Sequence, residues 1–147
     1  MPDVAVNRQA RHRYHLLDKW EAGMVLTGTE VKSLRGGKAT IKDGYASLSE
    51  GEVWLHNVHI PPYGPASREN HEPERPRKLL LHRREIDRLI GRIQQKGLTL
   101  VPTRLYFVNG RAKVEIALAR GKDVGDKRQS IKEREMKREM ERAVGRY

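Results

Sequence analysis

The sequence predicts a mainly β fold with α elements: short antiparallel strands closed into a small β-barrel, two or three flanking helices, and a basic tail that orders only on a partner. Three observations carry this expectation. Apolar residues alternate in short runs joined by glycine-containing turns. Only two or three stretches show helical spacing. The last 28 residues, Arg120 to Tyr147, hold ten of the 30 Lys and Arg; so charged a run buries too little apolar surface to offset its ordering entropy.

The elements follow in order. Asn7-Arg8-Gln9-Ala10-Arg11-His12-Arg13-Tyr14 is basic and polar, either a short helix capped near Asn7 or an arm. His15–Leu17 and Met24–Leu26 read as short strands on either side of Glu21-Ala22-Gly23. Thr29–Arg35 places Val31 and Leu34 on one helical face and stops at Gly36-Gly37. Thr40–Leu48 and Val53–Ile60 flank the turn Ser49-Glu50-Gly51-Glu52 as a hairpin. Pro61–Pro76 is a proline-rich loop. Arg83–Lys96 is the clearest helix, with Ile86, Leu89, Ile90 and Ile93 on one face, arginines on the other and Gly97 at its end.

Leu100–Val108 and Arg111–Ala119 surround Asn109-Gly110, a strong two-residue hairpin signal. Val114, Ile116 and Leu118 alternate with Lys113, Glu115 and Ala117, so one face of that strand is expected buried and the other wet. Closure of such strands removes exposed sheet edges, and an oligonucleotide/oligosaccharide-binding-type (OB-fold-like) barrel is the natural candidate. The expected division is a body of residues 1–119 and a tail of residues 120–147, disordered when free and helical when bound.

The formal net charge of the 147 residues is +11, and body and tail are both basic, at +7 and +4. That footprint points to nucleic acid. The absence of cysteine removes disulfides, cysteine-ligated zinc and thiol catalysis. No apolar run is long enough to span a bilayer, and the first residues carry no signal-like apolar segment, so a cytoplasmic protein is expected.

Enzyme motifs fail on their spacing. Gly28 to Ser33 has Val31 where a phosphate loop needs its second glycine, and Gly36-Gly37-Lys38 is followed by Ala39 rather than Ser or Thr. His56 and His59, on a strand, point to opposite faces rather than toward one metal. Glu21 and Glu30 have no nucleophile or metal cluster beside them; in so basic a chain a carboxylate more often orients an arginine. No catalytic residue, metal or cofactor is expected. Arg8–Arg13 and Arg75-Pro76-Arg77-Lys78 combine cations with Asn, His and Tyr side chains nearby and are expected to face RNA. The arginine face of Arg83–Lys96 is open between a solvated surface and an RNA contact.

In the tail, Ser130 with Glu133 forms a capping box, Glu133 and Lys137 a favourable pair, and Ile131, Met136, Met140 and Val144 a thin apolar stripe. A helix of that length is marginal alone in water, so it is expected to form on binding. The thin stripe, without tail Trp or Phe, argues against a membrane surface.

Several segments occur in an order that strongly resembles one family: Asn7 to Tyr14, Glu21-Ala22-Gly23, Gly28-Thr29-Glu30-Val31-Lys32-Ser33-Leu34-Arg35, Arg77 to His82, and Gly121-Lys122 with Asp126-Lys127-Arg128. The family is small protein B (SmpB), the transfer-messenger RNA (tmRNA, or SsrA RNA)-binding protein of bacterial trans-translation. The resemblance runs from about Val6 to Arg142 and implies an OB-type barrel that holds the tRNA-like domain of tmRNA. It further implies a tail that enters the empty mRNA channel of a stalled ribosome, leading to ribosome rescue and tagging of the nascent peptide. Functional links to elongation factor Tu and alanyl-tRNA synthetase are implied as well.

By this resemblance the RNA-binding set is Asn7, Arg11, His12, Glu21, Lys32, Arg35, Lys78, Leu80, Lys113 and Lys122. Cations would pair phosphates; Asn7 and His12 would reach base or sugar edges; Glu21 would accept from a base or orient an arginine. Leu80 would pack on an unstacked nucleotide or in the core. Asp126, Lys127, Arg128, Ile131, Lys132, Arg134 and Met136 resemble the segment at the decoding site of the small subunit and in the mRNA channel. The chain departs from the family in placing Gly125 where an aromatic or histidine commonly precedes Asp-Lys-Arg, and Asp123 where lysine is usual. Two rival readings follow from charge alone: a generic structured-RNA binder, and an enzyme acting on RNA.

Overall fold

The computed structural model describes residues 3–64, 70–94 and 97–121. Seven strands and three helices run β1 (Asp3–Val6), α1 (Ala10–Arg13), β2 (Tyr14–Met24), α2 (Gly28–Arg35), β3 (Tyr45–Ser49), β4 (Glu52–His56), β5 (Arg77–Leu80), α3 (Arg83–Ile93), β6 (Leu98–Val108) and β7 (Arg111–Gly121). Every pairing is antiparallel. From β6 the partners run β3, β4, β5, β2, β7 and back to β6, so six strands close a ring and β1 joins β6. The expected closed barrel is present, with one strand more than the usual five-stranded OB ring.

Local chemistry explains most elements. Asn109 and Gly110 adopt φ of 50° and 77°, the left-handed pair that a two-residue turn needs, and the β6–β7 register counts outward from there: Val108 opposite Arg111, Phe107 opposite Ala112, Tyr106 opposite Lys113. Glu50-Gly51 makes the same turn between β3 and β4. On α2 the Thr27 amide donates to Glu30 Oε1 at 2.8 Å and the Glu30 amide to Thr27 Oγ1, a capping box. α3 buries Ile86 and Leu89 against the core, with Ile90 and Ile93 packed at its margin.

The structure corrects several expectations. β2 is one 11-residue strand rather than two short ones, and Glu21-Ala22-Gly23 lies within it. β1 and β5, in segments to which the sequence assigned no element, are strands because β6 offers β1 an edge and β2 and β4 flank β5. α3 ends at Ile93, and β7 reaches Gly121 because Tyr14 and His15 pair Gly121 and Arg120. Nor is the outer face of β7 wet along its length. Ala117 and Ala119 are fully buried there with Val101, under Tyr14 and Leu16.

Arg77 is the largest correction, because it is fully buried rather than facing a partner. Its Nε donates to Glu30 Oε2 at 2.6 Å and its guanidinium also reaches the carbonyls of Val58 and Pro73. Arg75 pairs with the other Glu30 oxygen. Burial alone would raise the Glu30 pKa; the hydrogen bonds from Arg75, Thr27 and Arg77 outweigh it and hold the carboxyl below its ordinary range. His71 adds a second tie, its Nε2 donating to the Ile60 carbonyl at 2.8 Å and its Nδ1 2.9 Å from the Thr29 hydroxyl. The described part of the Pro61–Pro76 loop therefore closes the barrel end beside α2.

Candidate RNA interface

Four adjacent strands present one outer row. Leu80 on β5 lies opposite Gly23 on β2, Gly23 opposite Lys113 on β7, and Lys113 opposite Tyr106 on β6. Directly opposed residues point to the same face, so this row stands outside the barrel. Gly23 is the low point. A Cβ there would lie 3.4 Å from Leu80 Cβ and 3.7 Å from Lys113 Nζ, so the bare backbone lets an apolar and a cationic side chain converge. Leu80 is 52% exposed, which excludes core packing and leaves an apolar side chain on the outer surface.

Beside that row lies Glu21, whose register partner is Glu115, itself paired with Arg104. The Tyr106 hydroxyl donates to Glu21 Oε1 at 2.6 Å, reaching across β7. The Arg104 guanidinium sits 4.2 Å from the Tyr106 ring centroid and is held by Asp3 at 3.1 Å and Glu115 at 3.5 Å. Burial, then the bond to Glu21, pushes the Tyr106 phenol far up, so it remains a proton donor at any physiological pH. Glu21 thus accepts from a tyrosine.

A cavity of about 210 Å³ continues this surface toward α1, its lining including Asn7, Arg8, Arg11, Lys19, Arg104 and Glu115. Asn7 is buried: its amide donates to the Thr103 carbonyl and its Nδ2 to the Pro102 carbonyl, while Oδ1 has no partner among the described residues. It anchors the turn into α1. Arg11, His12 and Arg13 are exposed on that helix, and Arg8 is exposed just before it.

The other expected residues lie apart. Lys32 and Arg35 are exposed on α2, with Lys32 Nζ 5.7 Å from the Tyr63 ring. Lys78 is half-buried and pairs with Glu52 at 3.0 Å. His56 bonds Ser47 and stacks on Tyr45, His59 pairs with Glu74, and no group of three potential metal ligands occurs among the described residues. On α3, Arg83 and Arg92 are paired with Asp87 and Asp18. Lys122 and the tail residues Asp126, Lys127, Arg128, Ile131, Lys132, Arg134 and Met136 lie outside the described residues, as does the expected tail helix.

Sequence reading missed Tyr106 and Arg104. Counting from the Asn109-Gly110 turn puts Tyr106 beside Lys113, which was within reach. Arg104 was not, because the ladder shifts between Pro102 and Arg104 and the shift brings Arg104 opposite Glu115.

An outer strand face with an exposed leucine, an exposed carboxylate and flanking cations defines a barrel of the nucleic-acid-binding class. The chain belongs to the SmpB protein family, whose profile it matches over residues 4–146. It is 62% identical to an SsrA-binding protein of Acidothermus cellulolyticus over 143 residues, covering 97% of this chain and 90% of the relative. A second SsrA-binding protein, from Thermobifida fusca, is 64% identical over 143 residues, with 97% and 89% covered. A chain in a solved structure described as "tmRNA-SmpB: a journey to the center of the bacterial ribosome" superposes with a TM-score of 0.69 at 52% identity, covering 80% of this chain and 83% of that one. No helix among the described residues is long and apolar enough to cross a membrane.

Proposed function

We propose that this protein is a non-catalytic, cytoplasmic RNA-binding adaptor of trans-translation. Its body binds the tRNA-like domain of transfer-messenger RNA and delivers it to stalled ribosomes. The tail then occupies the decoding site and the empty mRNA channel, through Asp126 to Arg128 and the charged segment to Met136. Translation switches to the tagging message; elongation factor Tu and alanyl-tRNA synthetase act through the bound RNA. The observation that carries this reading is the family match, which runs through the body and on to residue 146. The strand-face row supports it, since an exposed leucine, a half-buried lysine and an exposed carboxylate on a basic barrel suit unpaired nucleotides better than a uniform duplex.

The test is equilibrium binding to the isolated tRNA-like domain and to a matched plain duplex across a salt series. A preference for the former that persists near about 150 mM salt supports specific recognition, because phosphate contacts alone weaken steeply there. Equal, steeply salt-dependent binding to both would reduce the protein to a generic RNA binder. The division of labour is tested by truncation after Gly121 rather than at Ala119, because Ala119 is fully buried within β7. RNA affinity should stay within a few-fold of the full chain while peptide tagging on stalled ribosomes is lost. Loss of RNA binding would overturn the two-part arrangement.

A further inference from the structure

The acceptor on this surface is backed by a network that phosphate binding does not require. Glu21 is exposed, yet Oε1 is committed to the Tyr106 hydroxyl at 2.6 Å, and Oε2 makes no hydrogen bond among the described residues. Tyr106 is only 7% exposed although it lies on the outer face. Arg104 covers its ring, and Asp3 on β1 holds Arg104. The sequence Asp3, Arg104, Tyr106, Glu21 thus runs from a peripheral strand to a carboxylate beside Lys113 and Leu80.

A carboxylate repels phosphate and can only accept hydrogen bonds. On an RNA-binding face it contributes where the partner presents a donor, which in RNA is a 2′-hydroxyl, common to duplex and single strand, or the amino and imino edges of bases. A duplex uses those edges in pairing; an unpaired nucleotide offers them. An exposed glutamate left free to rotate loses side-chain entropy on engaging such an edge, and a tether made beforehand removes part of that cost. We propose that Tyr106 is the positioning residue for Glu21, and that the fixed carboxylate selects an unpaired base edge in the bound RNA. This rests on the function proposed above.

The full chain and the variants Tyr106→Phe, Glu21→Gln and the double substitution are compared for binding to the tRNA-like domain and to the matched duplex at one salt concentration. Tyr106→Phe should weaken binding to the tRNA-like domain about 3- to 10-fold, the worth of one hydrogen bond. Duplex binding and the salt slope should be unchanged, the melting temperature should fall by no more than the few degrees that one hydrogen bond is worth, and the double variant should bind no worse than Glu21→Gln. Should Tyr106→Phe fold poorly, Glu21→Asp, at an exposed site and too short to reach the hydroxyl, must show the same selective loss. Full affinity in either Tyr106→Phe or Glu21→Asp, equal losses on both RNAs, or losses that multiply in the double variant would overturn the inference. If the unaltered protein shows no preference between the two RNAs, the proposed function falls and this inference with it; a preference that survives both Tyr106→Phe and Glu21→Asp overturns this inference alone.

Discussion

Glu21 and Glu30 stand nine residues apart in the chain, and the structure uses them in opposite ways. Glu30 is wholly buried at the barrel end with both oxygens occupied, by Thr27, Arg75 and Arg77, so nothing is left for a partner. Glu21 is exposed on the strand face with one oxygen held by Tyr106 and the other open. The difference is one of surroundings. A buried carboxylate must be fully satisfied or cost several kcal/mol, whereas an exposed one can keep an acceptor in reserve. Two glycines repeat the contrast. A Cβ on Gly44 would meet Pro102 at 2.8 Å and Val58 at 2.9 Å, while one on Gly23 meets nothing nearer than 3.4 Å.

The contrast breaks first at Glu30. Glu30→Ala leaves Arg77 buried without its counter-charge and should cost about 3–5 kcal/mol in urea unfolding, against about 1 kcal/mol for Glu21→Ala. Equal losses would mean that the two sites do not differ as described. A smaller effect follows from pH. The folded pKa of Glu30 lies below its ordinary value of 4.5, so its contribution is fully present above that value and is lost as pH falls through the folded pKa. Wild type should therefore exceed Glu30→Gln in stability at neutral pH, and the gap should narrow in acid. A gap that stays constant down to about pH 3, below the ordinary carboxylate range, would remove the carboxylate as its source.

The glycines give the last and smallest pair. Gly44→Ala should lower stability by about 1–3 kcal/mol through overpacking. Gly23→Ala should cost under about 1 kcal/mol in stability, because 3.4 Å is nearly an ordinary contact, and should register in RNA affinity instead as Leu80 and Lys113 are held apart. A comparable stability loss at both glycines would erase the distinction between a closed barrel end and an open face.

Much of the barrel was legible in the chain because its signals are local. Asn109-Gly110 determined a hairpin and its register, Val31 and Leu34 with the Gly36-Gly37 stop a short helix, and the isoleucine and leucine spacing of α3 a buried face. Local chemistry could not reveal β1 or β5, which are strands only because distant edges accept them, nor that Glu21-Ala22-Gly23, with its glycine, runs straight through β2. The basic character of the candidate site was readable from composition; alternation put Lys113 on the outer face, and its membership of the site is what the family resemblance implies. Which arginine is an inner strut and which a surface cation was not. Arg77 and Lys78 are neighbours in the chain, yet strand alternation sends the first into the barrel to meet Glu30 and leaves the second half-buried against Glu52. Charge and periodicity are properties of the chain itself, whereas burial and partnership arise only when segments such as Glu30 and Arg77, 47 residues apart, are brought into contact.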